Sequence, residues 1–568
     1  MVAFATRKRS KNTGGLTTRK QIDGVYHKET HVGRRVAPYI IILACIFEAL
    51  CLLLVALSAM PGLRLSSTPL ATAWSWTLFP AHILSTLIAP LAAIPHYGSL
   101  VAPLLLGLTL LGLSAVYVGA IMEVRRLQER FSRRWLALLL VCTLIFGLTL
   151  LVQPRLFSDD VFTYIFSGRI LIIYGADPLN TAPIQFPGDA FLPYVISGRA
   201  TPNIYGPLWL CISSLLAWFS NSPVITLLLF KGVALLAHLS NCILTWSILS
   251  KVAPARRLVG TMLYAWNPLA LIELAGSGHS EGVLILCLLL ALWLYVQQRG
   301  WTFVMGSFLI FGLASSINLI VLLLAPLYAW FDVRSEHHMS QAFWAFCWRL
   351  VLLSIPILVF LLPFWRGPST FFAITSAVDM DHFVHAPVGT LAIPIRAFYQ
   401  GFAHWAHLPG FLQPVQAADV SLRTSVAFIF VLIYLRLFGQ VRHAPTTIAG
   451  MQYSPDSDQE VLLPGLDGLL TSWTVAIFWC LVLASGWFWP WYVLWMLWII
   501  PLRRFDAYTL AVLILAATAL LIYPFVGFSR GPLATYQTAL IFGIPLVCLI
   551  IAWSRQKYQE RISLSYDR

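Results

Sequence analysis

The chain has 568 residues, of which 59% are hydrophobic and only 11% are charged, and its mean hydropathy is +0.79. A soluble protein of this size could not cover so much apolar surface, so the composition excludes a soluble globular enzyme and indicates a polytopic membrane protein. The fold class that we expect is all-α, a transmembrane helical bundle of about 11 to 14 spans.

The formal net charge of +14 is concentrated in three short segments. Residues 1–36 carry a surplus of seven positive charges, Glu123–Arg134 a surplus of three and Ser554–Arg568 a surplus of two. Basic residues that flank spans favour the cytoplasmic side, so we expect a cytoplasmic arm at residues 1–36 and a cytoplasmic tail at residues 554–568. Contact with membrane lipids explains this distribution better than nucleic acid does, and no nucleic-acid partner is expected.

Residues 37–553 are predicted to form one membrane-embedded domain between the arm and the tail. It contains long polar loops at about 154–204 and 366–420, which the alternation of spans places outside, and a polar linker at about 438–468, which it places inside. All nine cysteines lie in apolar stretches and none in the external loops. This pattern favours buried thiols over disulfides or a metal cluster.

The first external loop begins with two adjacent carboxylates, Asp159 and Asp160, directly after the apolar run Leu136–Val152. Carboxylates at the end of a span are expensive if buried. Ser158 could cap a helix whose first turn favours acidic residues, but capping accounts for one carboxylate better than for two. The alternation over Asp160–Tyr174 predicts an amphipathic helix at the membrane interface. We therefore expect one of the two carboxylates to act in chemistry.

His279 and Glu281 lie between two apolar runs. Unpaired polar groups in hydrocarbon cost several kcal/mol, so these side chains must face a cavity or a partner. A structural pair between helices and a functional site are both consistent with the sequence at this point.

The second external loop and a later aromatic cluster hold further polar groups. Asp379, Asp381 and His382 fall close together but lack a recognised ligand spacing, so a solvated loop that faces an acceptor is favoured over a metal site. Trp489 and Trp491 lie near Tyr492 at an edge predicted to be external. An interfacial aromatic belt is the default interpretation. The alternative is a functional one, in which these rings stack on a sugar or a prenyl chain.

Several motifs resemble those of a known enzyme family. The segments SDDVFTYIFSGR (158–169), GADPLNTAP (175–183) and YGPLW (205–209) resemble the first external loop of GT-C glycosyltransferases, and are closest to bacterial polyprenyl-phosphate-mannose-dependent mannosyltransferases. The pair NP (267–268) followed by GHSEG (278–282) resembles their Asn-Pro…Gly-His-Asn-Asp stretch, with Ser280 and Glu281 in place of Asn and Asp. The segment WPWY (489–492) resembles their Pro-Trp-Tyr segment. A Lys-Pro often found in such families is replaced by SIN (316–318).

The resemblance implies a GT-C fold and a membrane glycosyltransferase. It would move a hexose, mannose in the closest relatives, from a polyprenyl-phosphate carrier to a hydroxyl of a lipid-linked or cell-envelope glycan. The reaction would be an inverting single displacement, with Asp159 or Asp160 as the general base. The resemblance implies no metal and no cofactor beyond the lipid-linked sugar, and an active site on the external face of the cell membrane.

Further residues are expected to take part in such a reaction. The cations expected at the donor phosphate are Arg169, His279 and Arg199. The side chains expected to contact substrate are Tyr164, Asn180, Tyr205, Glu281, Asp379, Asp381, His382, Trp489, Trp491 and Tyr492.

Two other functions remain open from the sequence. A transporter or lipid flippase could use His279 and Glu281, but it would leave the Asp159-Asp160 loop unexplained and predicts paired broken helices in two halves. A lipid-linked glycan ligase would carry its main functional loop late in the chain, whereas here the acidic pair comes early.

Overall fold

The computed structural model describes residues 38–57, 90, 93–94, 101–126, 133–153, 156–196, 198–203, 205–297, 299–368, 370, 385–407, 413–443, 465–525 and 532–566. Within these ranges the protein is helical, and the only β-type pairing is an isolated bridge between Arg366 and Pro368. The predicted all-α class is therefore confirmed.

Long apolar runs become helices because a helix satisfies its backbone hydrogen bonds internally. The helices of the described ranges are α1 (Pro38–Leu57), α2 (Ala102–Arg126), α3 (Arg133–Leu151), α4 (Asp160–Ile172), α5 (Pro207–Trp218), α6 (Pro223–Val252), α7 (Arg257–Ala265), α8 (Pro268–Leu271), α9 (Glu281–Val296), α10 (Trp301–Ser315), α11 (Ala325–Val333), α12 (Met339–Leu361), α13 (Pro387–Trp405), α14 (Pro414–Arg442), α15 (Leu466–Trp479), α16 (Leu494–Leu497), α17 (Ala507–Ala519), α18 (Ile522–Phe525) and α19 (Pro532–Tyr566). Short 3-10 and π-helical turns connect several of them, among them the π-helix Ile272–Gly276.

Nine segments of the described ranges are long and apolar enough to cross a membrane, as expected for a polytopic bundle. The pair Pro254–Ala265 and Pro268–Gly276 would form a tenth span that is bent by 51°. The sequence-based count of about 11 to 14 also included runs that fold as shorter helices. One of these is α5, whose 12 residues extend only about 18 Å.

Helix α4 carries Asp160 and lies under the first long loop. The helix predicted over Asp160–Tyr174 is present as Asp160–Ile172, and nine of its 13 residues are buried. A Cβ added at Gly168 would lie 2.3 Å from the backbone oxygen of Ser213, so α4 and α5 approach each other with their backbones in near contact. This close packing fixes the position of α4 against the bundle.

The broken span α7–α8 leads into a second polar segment, residues 273–281, which lies beside the start of α4. The side chain of Asn267 caps α8 by accepting hydrogen bonds from the backbone N–H groups of Leu269 and Ala270. The π-helix that follows ends in a turn at Gly278, whose φ is +76°. Because such a backbone conformation favours glycine, the turn can reverse the chain directly into α9.

Lys231 of α6 joins these two segments. Its Nζ donates to the backbone carbonyls of Leu151 and Gln153 at the end of α3, where a cation is favoured by the helix dipole. A Cβ at Gly278 would lie 3.1 Å from Cγ of Lys231 and 3.3 Å from Cγ2 of Val161. The start of α4 and the turn before α9 are therefore direct neighbours.

Candidate active site

Four titratable side chains form one cluster. One comes from the start of α4 and the other three from residues 273–281, between α8 and the start of α9. Nδ1 of His279 lies 3.9 Å from Oδ2 of Asp160 and 3.9 Å from Oε2 of Glu281. On the other side of the ring, Nε2 lies 3.3 Å from Oε2 of Glu273. His279 and Glu273 are fully buried, whereas the side chain of Asp160 is 17% exposed. Asp160 is therefore the carboxylate of this cluster that is most accessible to another molecule.

Helix capping does not explain the acidic pair. Asp159 occupies the N-cap position of α4, but its side chain makes no capping hydrogen bond. The backbone N–H of Asp160 donates to Oγ of Ser158 instead, over 3.2 Å. The side chain of Asp160 is thus not needed to start the helix, which strengthens the case for a chemical role.

The environment of Asp160 shifts its acidity. Burial raises the pKa of the Asp160 carboxyl from 3.8 to about 6, with His279 acting in the opposite direction. Burial lowers the pKa of His279, but the carboxylates of Glu273, Glu281 and Asp160 outweigh this effect and leave the pKa above its usual value. A carboxylate with a raised pKa beside an imidazolium is suited to accept a proton near neutral pH.

Aromatic side chains line both sides of the cluster. On one side, the hydroxyl of Tyr164 lies 3.3 Å from Nδ1 of His279, and the ring of Tyr205 packs edge-on against Tyr164 with centroids 4.5 Å apart. On the other side, Trp491 stacks on His279 with centroids 4.3 Å apart, and Trp489 lies parallel to Trp491 at 5.4 Å. The predicted aromatic cluster thus contacts the histidine directly.

Glu281 is also held by the late aromatic segment. Nε1 of Trp495 lies 3.5 Å from Oε1 of Glu281, and the ring of Tyr492 stacks on Trp495 with centroids 4.2 Å apart. The chain therefore brings Tyr164, Tyr205, Glu281, Trp491 and Tyr492 together around Asp160 and His279.

Arg169 lies elsewhere. Its Nε and Nη2 donate to the carboxylate of Asp189 over 2.9 to 3.2 Å, and its guanidinium lies 4.0 Å above the ring of Phe191. Arg169 follows Asp160 by nine residues in α4, a distance of about 13 Å along the helix axis. These contacts pin the first long loop to α4, and the expected role at a donor phosphate stays a prediction.

Arg199 and Asn180 are exposed residues of the first loop. The residue before Arg199, Gly198, adjoins Thr163, because a Cβ at Gly198 would lie 3.6 Å from Cγ2 of Thr163. Thr163 follows Asp160 by three residues and therefore shares its helix face. Asn180 donates from Nδ2 to Asp177 over 2.7 Å and stabilises a turn. The backbone next to Arg199 thus adjoins the helix face that carries Asp160.

The loop at about 366–420, which the sequence predicts to be external, reaches the cluster. His385 packs edge-on against Trp489, with ring centroids 5.2 Å apart. Asp379, Asp381 and His382 lie outside the described residues.

Sequence reasoning missed three members of the site. Glu273, Lys231 and Tyr523 are each buried inside apolar runs, and the hydroxyl of Tyr523 donates to Oε1 of Glu273. Glu273 and Lys231 could have been found, since an ionisable residue within an apolar run marks a functional position by default. Tyr523 carried no comparable signal, because a tyrosine in an apolar run is common.

Residues 60–334 match the profile of the MptA_B family, described as alpha-(1->6)-mannopyranosyltransferase, N-terminal domain. The match spans just under half of the chain. It includes Asp160, Glu273, His279 and Glu281, and it ends before the aromatic segment at 489–492. No curated protein matches the chain. The match supports a membrane-bound glycosyltransferase of the GT-C type that transfers mannose.

Proposed function

We propose that this chain transfers mannose from a polyprenyl-phosphate carrier to a hydroxyl of a glycan acceptor, with Asp160 as the general base. The contact between Asp160 and His279 is the observation on which the proposal rests. Asp160 follows the end of α3 by nine residues, and both Asp160 and His279 fall within the segment similar to alpha-(1->6)-mannopyranosyltransferases. For this chain we propose the same linkage, so the reacting acceptor atom is the primary O6 of a hexose.

The proposed reaction is a single displacement at the anomeric carbon. The acceptor oxygen forms a bond to C1 while the bond between C1 and the phosphate oxygen breaks, and the acceptor proton passes to the carboxylate of Asp160. A base in this position typically contributes about 10²- to 10⁴-fold to the rate. Because the displacement inverts C1, an alpha product requires a donor with the beta configuration.

The leaving polyprenyl phosphate keeps its negative charge, so it needs nearby cations. We propose the imidazolium of His279 and the guanidinium of Arg199 for this role. Arg199 is exposed in the loop and its neighbour Gly198 adjoins the helix face of Asp160. Trp491 would hold His279 in place and offer a flat surface to the sugar. The reaction as proposed uses no metal and no organic cofactor.

A lipid-linked donor suits the surroundings of the site better than a nucleotide sugar. The chain carries no Gly-rich nucleotide-binding loop, and the cluster lies at the ends of apolar helices that could hold a prenyl chain. We propose that the site faces the exterior of the cell, because the basic residues of Glu123–Arg134 favour the cytoplasmic side for the opposite end of α3.

The deciding experiment offers the purified full-length protein either a beta-mannosyl polyprenyl phosphate or a nucleotide-linked mannose, with a mannose oligomer as acceptor. We expect consumption of the lipid-linked donor alone and a product with an alpha-(1->6) linkage by nuclear magnetic resonance. Consumption of the nucleotide sugar, or transfer to no acceptor, would refute the proposal.

A separate measurement tests the side of the membrane. A reporter that is active only outside the cytoplasm should give signal when fused after Gly188 and no signal when fused after Arg130. The opposite pattern would place the carboxylate cluster in the cytoplasm, where a donor with an external sugar could not reach it.

A further inference from the structure

A cavity of about 760 Å³ lies between α2, α7 and α17, away from the carboxylate cluster. Its lining includes three arginines, Arg125, Arg256 and Arg504, and no carboxylate. Arg125 is in the last turn of α2 and Arg256 directly precedes α7. Since α7 and α8 run from Arg256 toward Glu273 and His279, the arginines and the proposed active site lie at opposite ends of this broken span. The cavity therefore belongs to a separate site.

The dimensions of the cavity match one leaflet of a membrane. Its wall on α2 extends over 12 residues, from Ser114 to Arg125, with a rise of about 16 Å between the two ends. Half of a hydrocarbon core measures about 15 Å. The volume also falls within the usual range of about 300 to 1,000 Å³ for small-molecule sites.

The polar groups at the deep end of the cavity already have hydrogen-bond partners within the protein. The hydroxyl of Tyr117 donates to the backbone carbonyl of Leu263 over 2.7 Å, and the amide oxygen of Asn267 is used in capping α8. The neighbouring wall residues, such as Leu513 and Ala517, are apolar. An alkyl chain would fit this end without leaving a polar group unsatisfied.

The mouth of the cavity is positively charged. Arg125 and Arg504 are exposed, and the guanidinium of Arg125 lies 5.6 Å from the ring centroid of the exposed Phe505. Three acidic side chains near the mouth have partners of their own. Glu123 pairs with Arg126 and Asp506 pairs with Arg503, while Asp467 accepts a hydrogen bond from the backbone N–H of Arg504 over 2.8 Å. The guanidinium groups at the mouth are thus suited to an anionic headgroup.

We infer that this cavity binds an anionic phospholipid, with its phosphate between Arg125 and Arg504 and one acyl chain along α2 and α17. Basic residues at the ends of spans mark the cytoplasmic side, so the lipid would come from the cytoplasmic leaflet. An arginine near an anionic headgroup contributes about a fivefold change in affinity, so loss of two should weaken binding about 25-fold.

The test measures lipid binding to the purified full-length protein by native mass spectrometry. The ligands are phosphatidylglycerol, phosphatidylcholine with identical acyl chains, and deacylated glycerophosphoglycerol. We expect tight binding of phosphatidylglycerol alone. The double variant Arg125→Ala/Arg504→Ala should lose it, and the control Arg299→Ala/Arg442→Ala, which removes two exposed arginines outside the cavity, should retain it.

A third variant tests the apolar wall without changing the charge. Ala517→Phe fills the cavity and should reduce binding of phosphatidylglycerol while the arginines remain. Equal losses in both double variants, or equal binding of the two phospholipids, would overturn the inference. Unchanged binding in Ala517→Phe would also overturn it, because the acyl chain could not then lie in the cavity.

Discussion

Oε2 of Glu273 lies 3.3 Å from Nε2 of His279, and both side chains are completely buried. This contact places a negative charge behind the ring, so that the opposite nitrogen faces Asp160 and Glu281. A histidine held in this way remains protonated at a higher pH than an isolated one.

Glu273→Gln should lower the pKa of His279, because the charge on its Nε2 side is removed while the shape of the side chain is kept. A loss of one pKa unit corresponds to about a tenfold change in the fraction protonated above the pKa. We expect kcat at pH 8 to fall by about this factor and to recover partly at pH 6.5. A pH profile of kcat measures the effect. An equal loss at all pH values would show that Glu273 acts through packing alone.

The two adjacent carboxylates should differ in their contribution to catalysis. Asp160→Asn removes the proposed base and should lower kcat by about 10²- to 10⁴-fold with little change in KM. Asp159→Asn is the matched control, since it changes the neighbouring residue in the same way, and it should retain more activity. Initial rates with a lipid-linked mannose donor decide the matter. Full activity of Asp160→Asn would remove Asp160 from the mechanism.

The sequence predicted the fold class and most of α4, because hydrophobic runs and the switch to helical alternation can be recognised without tertiary information. It also identified Asp160 and His279, since polar residues at the ends of apolar runs stand out. The sequence could not predict that Trp491, more than 200 residues later, stacks on His279. Contacts across such separations depend on how the helices pack, and no local pattern encodes that.

The role of Arg169 shows a different limit. Its position in the motif SDDVFTYIFSGR suggests a phosphate ligand, which stays a prediction, and in the structure its side chain pairs with Asp189 of the following loop. Asp189 lies in an irregular segment with no periodicity, so a partner for Arg169 could not be found by spacing. Sequence reasoning identified the charged residue but could not identify its partner.

The acidity of Asp160 predicts the pH dependence of the reaction. Burial raises the pKa of Asp160 to about 6, so the carboxylate is protonated below that pH and cannot accept a proton. We expect kcat to fall about tenfold per pH unit below pH 6 and to level off above pH 7. Asp160→Glu, which keeps the carboxylate but moves it, should shift the pH at which kcat begins to fall. A profile without an acidic limb would contradict the assignment of the base.

The same shift predicts a change in stability. Because the pKa of Asp160 is higher in the folded protein than its ordinary value of 3.8, the folded state holds this proton longer as pH rises. Between about pH 4 and 6 the contribution of Asp160 to the free energy of unfolding therefore falls with rising pH. Asp160→Asn lacks this dependence. The difference in Tm, variant minus wild type, should increase from pH 4 to pH 7, and a constant or falling difference would contradict the shifted pKa.

Packing between α4 and α5 predicts a position that tolerates no side chain. A Cβ at Gly168 would lie 2.3 Å from the backbone oxygen of Ser213, so Gly168→Ala must move one helix. Such overpacking typically costs about 1–3 kcal/mol. A Cβ at Gly188, in the loop above, would meet no atom within 4 Å, which makes Gly188→Ala the matched control. Thermal unfolding of the two variants compares them, and equal Tm values would refute the close helix contact.

Chelation separates the proposed mechanism from a metal-dependent one. The proposed reaction uses Asp160, His279 and Arg199, so extensive dialysis against a chelator should leave kcat unchanged. Asp379, Asp381 and His382 are the residues through which a metal could act instead, because carboxylate and imidazole groups are common metal ligands. Activity that is lost on chelation, returns when a divalent cation is added, and does not return in Asp381→Asn would assign the reaction to that loop. Unchanged activity in the chelated protein, together with loss of activity in Asp160→Asn, would support acid-base catalysis at α4.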